Sequence, residues 1–202
     1  MNPHDLSVLP DPGLHPALAG ADLAAALAAV SATGGTAAAQ GPHGLALATR
    51  LLAASAPRWR RLLGDPPAGS RHTRLAWTAT AELWLVEWAP GAATRAHDHH
   101  GATVALTVLD GALVEDCLDA TIWTTCRRTT FRAGSTAVFD PGHVHLLAAA
   151  GVAAASVHAW SSGRLSRSAP AVDPRQLGDA DASGSGVGCS RHVPVSVAPA
   201  SL

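Results

Sequence analysis

Residues 91–111 read GAATRAHDHHGATVALTVLDG, with three histidines and an aspartate in the four positions 97–100. In an extended chain successive side chains alternate faces, so His97 and His99 point one way and Asp98 and His100 the other. An i, i+2 pair on a strand brings two imidazoles to one ion without bending the backbone, and clustered imidazoles are a frequent mark of a metal. A second pair of equal parity, His143 and His145, follows in FDPGHVHLL, residues 139–147. Spacing alone leaves these two equal as sources of a third ligand.

Around these segments the chain has the composition of a compact protein with loose ends. It is 202 residues long, enough for one domain with its own core plus terminal extensions. Charged residues are 14% and the formal net charge is −1, so no basic surface argues for nucleic acid or an anionic membrane as a partner. Lysine and tyrosine are absent, and all 14 basic residues are arginine. The three cysteines, Cys117, Cys126 and Cys189, have no metal-ligand spacing and read as reduced thiols of a cytoplasmic protein. The N-terminus lacks the basic start of a secretory signal, and the apolar run from Ala17 to Val30 is too short to span a bilayer.

Residues 1–43 read as an arm with a short Ala-rich helix at 21–30, and the stripe Leu45, Ala48, Leu51, Leu52, Trp59, Leu62, Leu63 as helix divided at Pro57. From Arg71 to Trp160 short alternating segments with Gly/Pro punctuation argue for strands closed into a sandwich or barrel. Residues 164–202 lack periodicity and read as a flexible tail. The expected domain is therefore 44–163, an all-β core preceded by short helices.

The spacing Gly91, five residues, His97-x-His99, four residues, Val104, six residues, Gly111 resembles the first motif of the cupin superfamily, a small double-sheet jelly-roll barrel. Val104 stands where many cupins place a glutamate ligand. Gly134, five residues, Asp140-x-Gly142, two residues, His145 resembles the second motif, with Asp140 in place of the usual proline and Ala149 in place of asparagine. The resemblance selects His145 and leaves His143 outside a shell of His97, His99 and His145. Imidazoles without thiolates suit iron, nickel, copper or zinc.

Within the superfamily the stretch ELWLVEWAPGAATRAHDHHGATVALTVLDGALVE, residues 82–115, resembles cysteine dioxygenases of bacterial type, including their V-x-x-G-x-L-x-E pattern. RWRRLL (58–63), RHTRL (71–75), GHVHLL (142–147) and SVHAW (156–160) extend the likeness over about Leu45 to Ser162. The resemblance implies Fe(II), dioxygen as co-substrate, and oxidation of the sulfur of cysteine or a related small carboxylate thiol to a sulfinate. It further implies an arginine on the first strand that grips the substrate carboxylate, for which a planar guanidinium fork is well suited. Arg74 matches that position, with Arg71 as its rival.

The family's final strand carries Ser-x-His-x-Tyr. Here Ser156 and His158 match and the tyrosine slot holds Trp160, which offers one N–H donor and no ionisable hydroxyl. Val104 also stands where animal members carry the cysteine that cross-links to that tyrosine, so no such cofactor forms. His158 is left as the polar group able to steer a proton or bond the substrate. Trp160 opens a second reading, a cupin of secondary metabolism that converts cysteine to a different S-oxygenated product such as a sulfonamide. A non-catalytic cupin that binds a metal or a small acid is the alternative from another class. A monomer is expected, with a dimer possible, and Trp77, Trp84 and Trp88 are expected in the barrel core.

Overall fold

The structure is a computed structural model that describes residues 13–18, 41–64, 68–77, 81–161 and 193–194. The Ala-rich helix expected at 21–30 and the tail from 164, apart from Val193–Pro194, lie outside the described residues. Among the described residues two α-helices lie between the first strand and the rest, α1 (Pro42–Ala54) and α2 (Ala56–Trp59), the second running into a 3-10 turn at Arg60–Leu62. The break falls at Ser55, whose hydroxyl turns back to the Leu51 carbonyl at 3.1 Å. Pro57 lies in the first turn of α2, where its missing N–H costs no helical hydrogen bond.

The described residues form ten strands, in chain order β1 (Gly13–Leu14), β2 (Ser70–Trp77), β3 (Ala81–Trp88), β4 (Val104–Asp110), β5 (Ala112–Leu118), β6 (Thr125–Arg132), β7 (Thr136–Phe139), β8 (His145–Ala149), β9 (Ala154–Ser161) and β10 (Val193–Pro194). They form a seven-stranded sheet in the order β1-β2-β3-β9-β4-β7-β10 and a three-stranded sheet in the order β6-β5-β8. All pairings within them are antiparallel. This is the all-β, two-sheet cupin architecture with short N-terminal helices that the two motifs led us to expect.

Strand alternation gives the large sheet two apolar faces. Leu83 and Leu85 of β3, Ala105 of β4 and Val157 and Ala159 of β9 join Leu45 and Leu52 of α1 and Trp59 of α2 in one buried cluster. Their strand neighbours Val86, Trp88, Val104 and Leu106 face the other way, onto Leu113, Phe131 and Leu147 of the small sheet. The helices thus cover one face and the small sheet covers the other, leaving the site between the sheets. A chain of buried hydroxyls ties α1 to this frame: Thr107 Oγ1 is 2.9 Å from both Thr49 Oγ1 and Thr136 Oγ1.

One expectation changes. Trp88 is 2% exposed and belongs to the core, but Trp77 and Trp84 are only partly buried at the far end of β2 and β3, where they flank an arginine. Cys117 is a buried thiol whose pKa is raised by burial, and the Cys126 sulfur lies 3.7 Å from it; Cys189 lies outside the described residues. No helix among the described residues is long and apolar enough to cross a membrane.

Candidate metal centre

The two histidine motifs are stitched to each other by their backbones. His97 and His145 exchange both N–H···O bonds, each at 2.9 Å, and Thr94 N donates to Leu147 O at 2.8 Å. The segment 92–97 thus runs antiparallel along β8, and the paired positions carry imidazoles whose ring centroids are 4.8 Å apart. His99 enters from the same loop and completes the group: one ring nitrogen from each of His97, His99 and His145 lies within 4.8 Å of the others.

Hydrogen bonds decide which nitrogens are available. His97 Nδ1 is 2.8 Å from the Arg95 carbonyl, and His145 Nδ1 is 3.1 Å from a carboxylate oxygen of Glu115. Both acceptors demand an N–H, so each Nδ1 carries the proton and each Nε2 keeps its lone pair. His145 Nε2 faces His99 Nε2 at 3.2 Å. Two nitrogens bound to one ion at about 2.0–2.1 Å stand roughly 3.0–3.5 Å apart, so this separation fits a shared ion.

Burial keeps the rings neutral, as metal ligands must be. The His99 pKa falls to about 2, first because it is buried and then because His145 and His97 are close. Burial takes His145 down to about 4 against the opposing bond from Glu115, and it also lowers His97. His100 leaves the group by a turn: its φ is +48°, and its ring Nδ1 and backbone N lie 3.0 and 3.1 Å from Asp98 Oδ1.

The three rings open on a cavity of about 90 Å³, space for several water-sized groups. Val104, His158 and Trp160 line it, with Val86, Trp88 and His72 on further walls. Val104 and Trp160 are direct cross-strand partners, so the slots that hold a cysteine and a tyrosine in animal members of the resembled family face each other here as valine and tryptophan. Trp160 stacks on the His158 ring at 5.3 Å and 18°.

Ser156 lies behind the wall, fully buried. Its hydroxyl oxygen accepts from Trp88 Nε1 at 3.0 Å and is 2.9 Å from His158 Nε2. Trp88 can only donate, so both groups are satisfied when Ser156 donates to His158 Nε2. That arrangement places the His158 proton on Nδ1. Burial, followed by the nearby His72, brings the His158 pKa down to about 3, so the ring is neutral at pH 7.

The two arginines do not reach this cavity. Arg71 forms a fork on Glu87, Nε at 2.5 Å and Nη2 at 2.6 Å, and also holds the Leu62 carbonyl at 3.1 Å. Arg74 shares a strand face with His72, but its guanidinium lies 4.5 Å over Trp77 and 5.9 Å over Trp84, 3.8 Å from Glu82. The β2 side chain at the cavity wall is His72.

Glu115 is the residue that sequence reasoning passed over. It is 0% exposed, and burial alone would raise its pKa, yet hydrogen bonds from His143 (2.6 Å) and His145 hold it at about 2. It is the last residue of the V-x-x-G-x-L-x-E pattern and shares strand parity with the buried Leu113 and Cys117. A carboxylate on an apolar strand face was the available signal.

Residues 52–164 match the family described as cysteine dioxygenase type I. Among solved structures, a conserved protein with a double-stranded β-helix domain from Klebsiella pneumoniae is similar at 18% identity and a TM-score of 0.45, over 52% of this chain and 82% of that one. A protein from Thermus thermophilus is similar at 17% identity and a TM-score of 0.44, over 50% of this chain and 91% of that one. An oxalate oxidase bound to the substrate analogue glycolate is similar at 26% identity and a TM-score of 0.41, over 48% of this chain and 52% of that one. No curated protein matches the chain.

Proposed function

Because the chain belongs to the cysteine dioxygenase type I family, we propose that it is a metal-dependent thiol dioxygenase, oxidising the sulfur of cysteine or a related small thiol to a sulfinate. The observation that carries this reading is the convergence of three neutral imidazoles on one end of a small cavity with mostly apolar walls. Thiolate and dioxygen combine to a sulfinate with no outside reductant, both oxygen atoms going to sulfur. An ion held by His97, His99 and His145, Fe(II) first and nickel, copper or zinc as rivals, would supply open positions for the thiolate and for dioxygen.

The chain's own residues do the rest. Val86, Trp88 and Val104 exclude water from the carbon skeleton of the thiol. His158, held by Ser156, offers Nδ1–H to an oxygen or nitrogen of the substrate, on the strand where the family uses a phenol. Trp160 packs over His158 and narrows the pocket. That replacement is also what supports the second reading, in which the same thiol leaves as another S-oxygenated product such as a sulfonamide.

The carboxylate grip expected of Arg74, or of Arg71, finds no support in their positions, since each is engaged away from the cavity. Binding then rests on sulfur, amine and apolar contact. Iron-loaded protein should consume oxygen with at least one of cysteine, cysteamine or 3-mercaptopropionate and release the sulfinate. No uptake with any of them contradicts the dioxygenase reading. Arg74→Ala should leave the KM for cysteine unchanged; a KM that rises for cysteine but not for cysteamine would return the carboxylate to Arg74.

A further inference from the structure

A carboxylate at zero exposure is costly unless its oxygens are paired. Glu115 meets that cost through a single oxygen. His143 Nε2 and His145 Nδ1 both donate to Oε1, at 2.6 and 3.1 Å, while Oε2 and His143 Nδ1 have no partner among the described residues. Phe139 packs this group from one side, stacked on His143 at 5.0 Å and 20° and edge-on to His145 at 4.6 Å.

From this arrangement we infer that Glu115 is a positioning and charge-supplying residue for the metal centre, with His143 as the clamp that holds it. The inference rests on the reading that His97, His99 and His145 bind the metal. Glu115 keeps His145 in the tautomer whose Nε2 faces the metal position, and its negative charge makes that nitrogen a stronger donor. Val104 removes a carboxylate from the ligand set; Glu115 returns one negative charge from the opposite sheet, one hydrogen bond further out.

Glu115, His143 and His145 also stand close enough to hold an ion of their own. Two of their contacts are already hydrogen bonds to one oxygen, and neither Glu115 nor His143 borders the cavity. The oxygen that these contacts share is thus taken by two N–H donors rather than by a second ion.

The test is Glu115→Gln, whose amide oxygen still accepts both N–H groups but carries no charge. Metal affinity is measured by chelator competition, and the Fe(III)/Fe(II) potential by redox titration, on protein shown to be folded by circular dichroism. The variant should bind metal about 10–100-fold more weakly, and its potential should rise. Unchanged affinity and potential in folded Glu115→Gln overturn the inference, as does a wild-type stoichiometry of two ions per chain.

If Glu115→Gln does not fold, His143→Phe keeps the ring stack and removes the clamp. A weaker loss in the same direction supports the inference, and no change overturns it. Failure of the metal reading itself shows separately, as a wild-type protein that binds no metal tightly.

Discussion

His99→Ala loses stoichiometric metal binding, with a drop in affinity on the order of 100-fold or more, beyond the loss of an outer-sphere partner. His99 contributes no backbone bridge to β8 among the described residues, and the residue is 8% exposed, so the variant removes a donor without cutting the ladder that joins the motifs. His97→Ala and His145→Ala should behave alike in affinity. His100→Ala is the control: its ring turns away to Asp98 and metal binding is retained. Chelator competition or equilibrium dialysis reads all four. A loss at His100 equal to that at His99 would place the ion elsewhere.

Gly111→Ala should be the most destabilising single change at the junction of the two sheets. The residue has φ +68°, and an added Cβ would stand 2.5 Å from the Ala153 carbonyl oxygen and 3.0 Å from Ala154 Cα. The left-handed conformation costs a non-glycine residue about 1–2 kcal/mol, and forcing packed backbone apart adds about 1–3 kcal/mol. A combined loss of about 3 kcal/mol lowers Tm by roughly 6–12 °C for a chain of this size. Gly134→Ala separates the two causes, because φ is +85° there but nothing lies within 4 Å of the added atom. It should lose only the conformational part, about 1–2 kcal/mol. Thermal melts giving equal shifts for the two variants would mean that the Ala153 contact relaxes freely.

The architecture was legible because it depends on period-2 patterning and on two spaced motifs, both local properties of the chain. The grouping of His97 with His99 was legible for the same reason, although its physical basis differs in part. Residues 95–100 are not a continuous strand: His97 is fixed by its bridge to His145, and His100 is removed by a left-handed turn. The resemblance pointed to Arg74, or Arg71, as the carboxylate grip, but a likeness of sequence does not carry the direction a side chain takes; at the cavity wall β2 presents His72. A bulge after Arg74, two tryptophan rings and Glu82 hold it at the far end.

Glu115 was visible as a letter and not as a role, because what defines it is contact with residues 28 and 30 positions away.

The most direct test of the account is the product formed from cysteine by the iron-loaded protein under ¹⁸O₂, identified by mass spectrometry. The sulfinate with both new oxygen atoms labelled is the expected result, from cysteine or, where cysteine is not consumed, from cysteamine or 3-mercaptopropionate. No oxygen uptake with any of the three, or a product whose oxygen comes from water, would contradict it.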